Sequence, residues 1–305
     1  MDTKKLEVLT CAIDSGSLTA AATRLNYTQS GITQMMAALE RDMGFPLLIR
    51  SRNGVLPTEE CRLLLPTVRT LLNCSERLRQ EAAALKGVCS GTVRVCSNNS
   101  ISMYWMPSII ARFEATYPGV RLELFGGDSA HLTTLLKEGK VDVCLIAGQP
   151  ENCHWIHLAY DPLYVVLPPG HPGANTDAYP INRLHGVPFL HYSTLRGESM
   201  REFDVLLAKT GIQPNVKLVS NNDYAIVSMV ERGIGVSIMP ELILNGFPQN
   251  VLRIPLDPPC SRDLGIALRS IDEASPVVRR FIACAEETIL GGAVYLPGKR
   301  LSPSH

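Results

Sequence analysis

Two short runs of apolar residues, separated by six mostly polar ones, most strongly restrict how the first part of the chain can fold. Each run spaces its apolar side chains at i, i+3, i+4 and i+7, which is one face of an α-helix. The two runs are Leu18, Ala21, Ala22 and Leu25, then Ile32, Met35, Met36 and Leu39. Because Asn26 tolerates left-handed backbone and Thr28 can cap a helix, a tight turn is predicted between two helices.

A third helix is expected before this pair, since Leu6, Leu9 and Ile13 share a helical face and Ser17 can cap the helix that follows. The outward face of the second helix of the pair carries only small or amide side chains before Glu40. These are Gln29, Ser30, Thr33, Gln34 and Ala37. A helix that enters the major groove of DNA must lack carboxylates, which phosphates repel, and must offer donors and acceptors to the bases.

We therefore predict that Gln29 and Gln34 read base edges. The other DNA contacts predicted on this helix are Thr28, which opens it, Ser30 and Thr33. Two amphipathic helices with a polar outer face also occur in helical subdomains that bind no DNA, and this alternative stays open.

A hairpin is predicted after the helices, because Asn53-Gly54 is a dipeptide typical of a two-residue β-turn. Arg50 and Arg52 lie beside this turn. Their guanidinium groups could reach the phosphates beside the bases that the helix reads. The helices and the hairpin together predict a winged helix-turn-helix.

The segment from Leu18 to Glu60 resembles the N-terminal domain of the LysR-type transcriptional regulators. The matching residues are Ser17 to Ala22, Leu25, Thr28-Gln29, Leu39-Glu40, Gly44, Pro46-Leu47, Arg50 and Thr58. The resemblance continues to about Leu290, and it implies a linker helix used for pairing, frequent assembly as tetramers, and a two-lobed effector domain. This chain departs from the family pattern at Ser30, Gly31, Gln34, Leu48 and Cys61, so the base sequence that it reads cannot be carried over from relatives.

The charge of the N-terminal region and a leucine repeat both favour a dimer. Residues 1–60 contain six Lys and Arg against seven Asp and Glu, so one copy should bind DNA weakly. Leu64, Leu71, Leu78 and Leu85 recur every seven residues on a helix from Thr58 to Lys86 that Pro66 should bend but not abolish. The repeat predicts pairing with a second copy. A core helix that packs only on its own chain is the alternative.

From Gly91 onward, strand and helix patterns alternate, so the predicted fold class is α/β. The first part reads as β-α-β-α-β with parallel strands, and the second forms another unit. The expected domains are a winged helix-turn-helix at 1–57, a linker helix at 58–87, a first lobe at 92–162 plus 267–295, a second lobe at 163–266 and a flexible tail at 296–305. The resemblance implies a clamshell like that of periplasmic binding proteins.

A small-molecule effector is expected between the lobes, where strand ends meet helix starts. The candidate contacts are Asn98, Asn99, Ser100, Ser129, Tyr192, Ser193, Thr194 and Asn222. Each could instead be an ordinary helix cap. A small polar metabolite or carboxylate is predicted, although Asp128 disfavours a multiply charged anion. Promoter DNA, this effector, a second copy of the chain and RNA polymerase are the expected partners.

Other classes of protein find little support in the sequence. Nine scattered cysteines without a C-x-x-C motif read as reduced thiols, and a cysteine-based redox sensor of the same family stays an alternative. His154 and His157 lie in an extended or loop stretch, so we expect no metal, and likewise no cofactor. Glu7 and Asp14 interrupt any leader, which predicts a cytoplasmic protein without membrane segments. A clamshell binder or enzyme without a DNA role is the remaining alternative, although no catalytic constellation supports it.

Overall fold

The N-terminal head contains the predicted helix-turn-helix. The computed structural model describes residues 2–51, 54–193, 201–245 and 250–298, without the side chains of 174, 201 and 202. Its first helices are α1 (Thr3–Ser15), α2 (Leu18–Leu25) and α3 (Gln29–Met43). Ser17 Oγ accepts a hydrogen bond from the Ala20 N–H, and Thr28 Oγ1 accepts one from the Gly31 N–H, at 3.2 and 3.1 Å. Asn26 has φ +55°, so the predicted caps and turn are confirmed.

The core of the head comes from the two apolar runs and α1. Leu6, Leu9, Ile32, Met36 and Leu39 are at most 1% exposed. Burial of each such side chain contributes about 1.5–3 kcal/mol, which offsets the entropy of ordering three short helices. Ile13, Leu25 and Met35 are only partly buried and close the rim of this core.

The wing is an antiparallel hairpin of β1 (Leu48–Ser51) and β2 (Gly54–Pro57). Ser51 pairs with Gly54, so the connecting residues are 52 and 53, which lie outside the described residues. The predicted Asn-Gly turn is therefore wrong by one position. Gly54 begins β2 with φ +119°, and a Cβ there would stand 2.4 Å from the Gly16 carbonyl oxygen. Glycine is needed for this close approach and not for the centre of the turn.

The linker helix α4 (Glu59–Leu85) is capped by Thr58 and continues through Pro66. At 1.5 Å per residue it is about 40 Å long. One face lies against the head, where Val68 is buried and Leu64 is partly buried in the head core. The same helix then runs along the first lobe, where its Asn73 Nδ2 donates a 3.4 Å hydrogen bond to the Gly139 carbonyl.

The first lobe is built on parallel strands, as predicted, and residues 120–126, 91–97 and 143–147 form neighbouring strands in that order. Its elements are β3 (Gly91–Ser97), α5 (Asn99–Tyr104), α6 (Met106–Thr116), β4 (Val120–Gly126), α7 (Ser129–Lys137) and β5 (Val143–Ala147). Strand β6 (His154–Leu167) follows and spans 14 residues. The stretch around His154 and His157, which was expected to be extended or a loop, is the first half of this strand, with both histidines exposed.

The second lobe grows from the other half of β6. Its elements are two 3₁₀ turns (Pro172–Asn175, Ile181–Leu184), β7 (Tyr179–Pro180), β8 (Pro188–Tyr192), α8 (Arg201–Thr210), β9 (Asn215–Ser220), α9 (Asp223–Glu231), β10 (Ser237–Pro240), α10 (Glu241–Leu244) and β11 (Leu252–Asp257). Strands β10 and β11 pair antiparallel with residues 163–167 of β6, while β8 and β9 form a separate parallel pair.

The chain returns to the first lobe through β12 (Ser261–Leu268) and α11 (Pro276–Leu290). Because β12 pairs with β5 and with residues 154–162 of β6, the two crossings between lobes lie near Pro162 and just before Ser261. This pairing favours a second boundary before Ser261, although the domain limits stay a prediction. Leu296, the first residue of the expected flexible tail, is 8% exposed and packs in the core of the first lobe, and residues 299–305 lie outside the described residues. No helix in the described ranges has the length and apolar character to span a membrane.

Candidate functional site

The exposed face of α3 is the first candidate surface. Gln29 and Gln34 are exposed, and their amides make no hydrogen bond to any described residue, so they are free to contact another molecule. The hydroxyl groups on this face, unlike the two amides, have hydrogen-bond partners. Thr33 Oγ1 donates to the Gln29 carbonyl at 2.9 Å, and Thr28 Oγ1 lies 3.2 Å from Ser30 Oγ.

Glu40 joins this helix to the wing. Its Oε1 accepts hydrogen bonds from the backbone N–H groups of Leu47, at 2.9 Å, and Leu48, at 3.1 Å. The first acid of α3 is therefore turned away from the polar face and fixes where the wing starts. Sequence reasoning used Glu40 only to mark the end of the acid-free face. Glu40 stands three residues before the end of the helix and seven before Leu47, and this position was the available signal that it could bind the start of the wing.

Arg50 lies on β1, exposed and without an ion pair to any described residue. Arg52 and Asn53 fall outside the described residues, so the predicted role of Arg52 stays a prediction. A free guanidinium beside an acid-free amide face can bind phosphate while the amides reach bases.

The leucine repeat on α4 divides into two parts. Leu71, Leu78 and Leu85 are 39%, 67% and 90% exposed, so each leaves apolar surface open to solvent. Leu64 does not join them, because it lies against the head core beside Val68. The apolar stripe open to a partner therefore begins at Leu71.

In the first lobe, Asn98 ties together the loops at the ends of three strands. Its Oδ1 accepts hydrogen bonds from Ala147 N–H (2.7 Å) and Ser129 Oγ (3.2 Å), and its Nδ2 donates to the Gly127 carbonyl at 3.1 Å. Ser129 Oγ also lies 2.9 Å from the Ala147 carbonyl. Asn98 and Ser129, two of the predicted ligand contacts, thus have partners within the protein, and Asn98 occupies the N-cap position of α5 without a side-chain cap hydrogen bond.

Ser100 is buried and belongs to an ion-pair cluster at the crossing between lobes. Arg262 Nη2 donates to Ser100 Oγ at 3.0 Å, and Arg262 Nε donates to Asp161 Oδ2 at 2.9 Å. Asp161 Oδ1 accepts from the Leu242 N–H at 2.9 Å. Burial raises the pKa of Asp161, and Arg262 opposes that shift. Sequence reasoning missed Asp161 and Arg262, although an acid inside the apolar run 158–167 was a usable signal.

The second lobe contributes the start of α9 and the end of β8. Asn222 caps α9 by accepting a hydrogen bond from the Ala225 N–H at 3.1 Å, as the cap alternative expects. Tyr192 and Ser193 are half-buried where β8 ends, Asn99 is exposed, and Thr194 lies outside the described residues. Next to Asn222, burial raises the pKa of Asp223 to about 6, and the charge of Arg262 opposes this. The lobes touch here, because Tyr224 OH donates to Met103 Sδ at 3.0 Å.

Two cysteines that are distant in sequence meet in the first lobe. Cys96 and Cys144 are register partners on β3 and β5, and both are 0% exposed. The spacing of the cysteines along the sequence therefore does not show that two of them lie side by side in the fold. Hydrogen bonding to Cys96 and burial both raise the pKa of the Cys144 thiol, which makes it a poor nucleophile. Among the described residues, no group of three His, Cys, Asp or Glu is arranged to hold a metal ion.

Comparisons with known proteins agree with this architecture. A family model described as the bacterial regulatory helix-turn-helix protein, lysR family, matches residues 3–62, and the LysR substrate binding domain matches residues 86–289. The chain is 30% identical over 290 residues to the uncharacterized HTH-type transcriptional regulator YvbU of Bacillus subtilis, covering 94% of this chain and 98% of that one.

Two solved structures share the fold over nearly the whole chain. A full-length OxyR variant from Pseudomonas aeruginosa has a TM-score of 0.77 at 21% identity and covers 95% of this chain and 97% of its own. Full-length CbnR complexed with its target DNA has a TM-score of 0.63 at 21% identity. The match covers 94% of this chain and 100% of the CbnR chain.

A helix-turn-helix head joined to a two-lobed effector-binding domain defines a DNA-binding transcriptional regulator. The chain belongs to the LysR family of these regulators.

Proposed function

We propose that this regulator reads its promoter with Gln29 and Gln34 of α3, while Arg50 and Arg52 bind the flanking phosphates. One observation carries the proposal: before Glu40, the exposed face of α3 presents free amides and no carboxylate, beside a wing that Glu40 fixes in place. Ser30 adds a hydroxyl to the same face, and Thr28 and Thr33 support the helix backbone there.

We further propose that two copies pair through the exposed stripe of Leu71, Leu78 and Leu85. Because residues 1–60 contain more acids than bases, a single head should bind DNA weakly, and two linked heads raise the effective affinity. Dimers can then assemble into tetramers and contact RNA polymerase at the promoter.

The effector is proposed to bind between the lobes and to shift the balance between two lobe arrangements, which changes DNA binding at a distance. Asn99, Tyr192, Ser193, Thr194 and Asn222 stay the proposed contacts, with Asn98, Ser100 and Ser129 holding the walls. Asp128 and Asp223 open helices α7 and α9 in this region, so a small polar metabolite is favoured over a multiply charged anion. The location that suits this function is the cytoplasm, where the DNA lies.

The test is a gel-shift titration of the full chain on DNA from beside its own gene, repeated over a range of salt concentrations. A sequence-selective complex whose affinity falls steeply with salt is expected. Leu78→Glu should abolish the dimer in sedimentation and weaken the complex, whereas Glu81→Gln, at an exposed position on the same helix, serves as the control. Equal affinity for promoter and unrelated DNA at every salt concentration would contradict the proposal.

A further inference from the structure

A cavity of about 70 Å³ lies between the linker helix and the first lobe. Asn73, Glu76 and Gln80 line it from α4, and Arg94, Asp142 and Arg269 line it from the lobe. Since a water molecule needs about 10–15 Å³ of such volume, the cavity has room for a solute of about four non-hydrogen atoms. The cavity is separate from the cleft between the lobes, because neither α9 nor β8 contributes to its lining.

Gln80 gives the α4 wall an unmet hydrogen-bond acceptor. The residue is 4% exposed, and its Nε2 donates to Glu76 Oε1 at 3.0 Å. A carboxylate can only accept, so Glu76 fixes the amide in this orientation. The Gln80 Oε1 atom is then buried without a partner among the described residues. A bound molecule with an N–H group would satisfy it.

Arg269 gives the lobe wall unused donors. It follows directly after β12, and its Nη1 lies 3.0 Å from the point where a Cβ on Gly139 would stand. Its guanidinium has no hydrogen bond or ion pair to any described residue, unlike Arg94, which lies 3.5 Å from Glu123 Oε2. A carbonyl oxygen in the cavity could accept from Arg269.

The charges around the cavity balance. The acids are Glu76, Asp142 and Glu273, and the bases are Arg77, Arg94 and Arg269. Asp142 is held by the Arg94 N–H, which donates to its Oδ2 at 2.7 Å. With three charges of each sign, the lining favours a neutral ligand over either kind of ion.

We propose that this cavity is a second ligand site, which binds a small neutral molecule carrying both an N–H donor and a carbonyl acceptor, such as a primary amide or urea. The N–H group donates to Gln80 Oε1, and the carbonyl accepts from Arg269. Because α4 and the lobe form opposite walls, the bound ligand stabilises this seating of the linker helix, and by linkage it alters DNA affinity.

Four probes of equal size test the chemistry: acetamide, acetone, acetate and acetamidinium. Thermal unfolding of the full chain is followed while each probe is raised to about 100 mM, because a four-atom ligand binds at best in the range of about 0.1–10 mM. Acetamide should raise the melting temperature saturably. Acetone lacks the donor, and the other two carry charge, so none of these three should match it. Saturable stabilisation by acetone or by either ion, or none by acetamide, overturns the proposal.

Two variants locate the site. Gln80→Met removes the acceptor at similar size, and Arg269→Met removes the donors; each should raise the acetamide concentration for half-saturation at least tenfold. Gln213→Met, at an exposed glutamine in the second lobe, is the matched control and should leave it unchanged. If Gln80→Met does not fold, Arg269→Met still decides the outcome, since an unchanged half-saturation in that variant overturns the site.

Discussion

Arg69 of the linker helix binds Asp14 of α1 with both arms of its guanidinium: Nη1 donates to Oδ2 at 3.1 Å and Nη2 to Oδ1 at 2.5 Å. Arg69 is 8% exposed, and its Cβ also lies against Gly139 of the first lobe. One residue thus contacts the DNA-binding head and the effector domain.

Asp14→Asn should destabilise the protein, because it leaves the buried Arg69 charge without its counter-ion. A cost of about 1–3 kcal/mol is expected, below the value for a fully buried pair since Asp14 is one-third exposed. Urea unfolding measures it. Lys5→Met, which breaks the exposed pair with Asp42, is the control and should change stability little. Equal losses in the free energy of unfolding for the two substitutions would show that the Asp14–Arg69 pair stabilises the protein no more than a surface ion pair.

Gly54→Ala should cost more than Gly44→Ala, although both glycines have positive φ. A Cβ at Gly54 would stand 2.4 Å from the Gly16 carbonyl oxygen, whereas nothing lies within 4 Å of one at Gly44. We expect about 1 kcal/mol at Gly44 from backbone strain alone, and about 3 kcal/mol at Gly54. Urea unfolding measures the stability of both variants, and gel shifts measure their DNA binding. Equal losses of stability in the two variants would contradict the prediction.

Gln34→Ala and Arg50→Ala should affect DNA binding in different ways. Loss of an amide that reads a base should narrow the difference between the promoter and its mismatched variants by about 1–3 kcal/mol. Loss of a phosphate contact should weaken all DNA sequences alike and lower the salt slope by about one. Binding curves on matched and mismatched sites over a salt series separate the two. A uniform loss in both variants would contradict the division of roles.

Asp223 should make stability depend on pH. Its pKa is raised to about 6 from an unfolded value near 3.8, so the folded state binds the proton more tightly. Stability is then highest below pH 4 with respect to this group, and it falls as pH rises through 6. Asp223→Asn should remove that loss. The free energy of unfolding of the variant, compared with that of the unsubstituted protein, should therefore be about 1–3 kcal/mol more favourable at pH 7.5 than at pH 4. Urea unfolding at both pH values tests this, with exposed Asp177→Asn as the matched control.

Elements whose signals are local could be predicted from the sequence. The caps at Ser17 and Thr28, the turn at Asn26 and the β-α-β-α-β order of the first lobe all depend on residues within a few positions of one another. The partners of the candidate cleft residues could not be predicted in this way. Asn98 and Ser129 have the composition of ligand contacts, yet they bond to backbone groups that lie 18 to 49 residues away in the chain.

Local spacing alone therefore determined that this chain has a helix-turn-helix, a long amphipathic helix and an α/β domain, because hydrophobic periodicity and caps act over one or two turns. Tertiary structure decided which polar groups remain free. Asp161 meets Arg262, Cys96 meets Cys144, and Gly54 meets Gly16 only after strands and helices have packed. Such partners are fixed by the geometry of folding across 38 to 101 residues, so no pattern along the sequence specifies them.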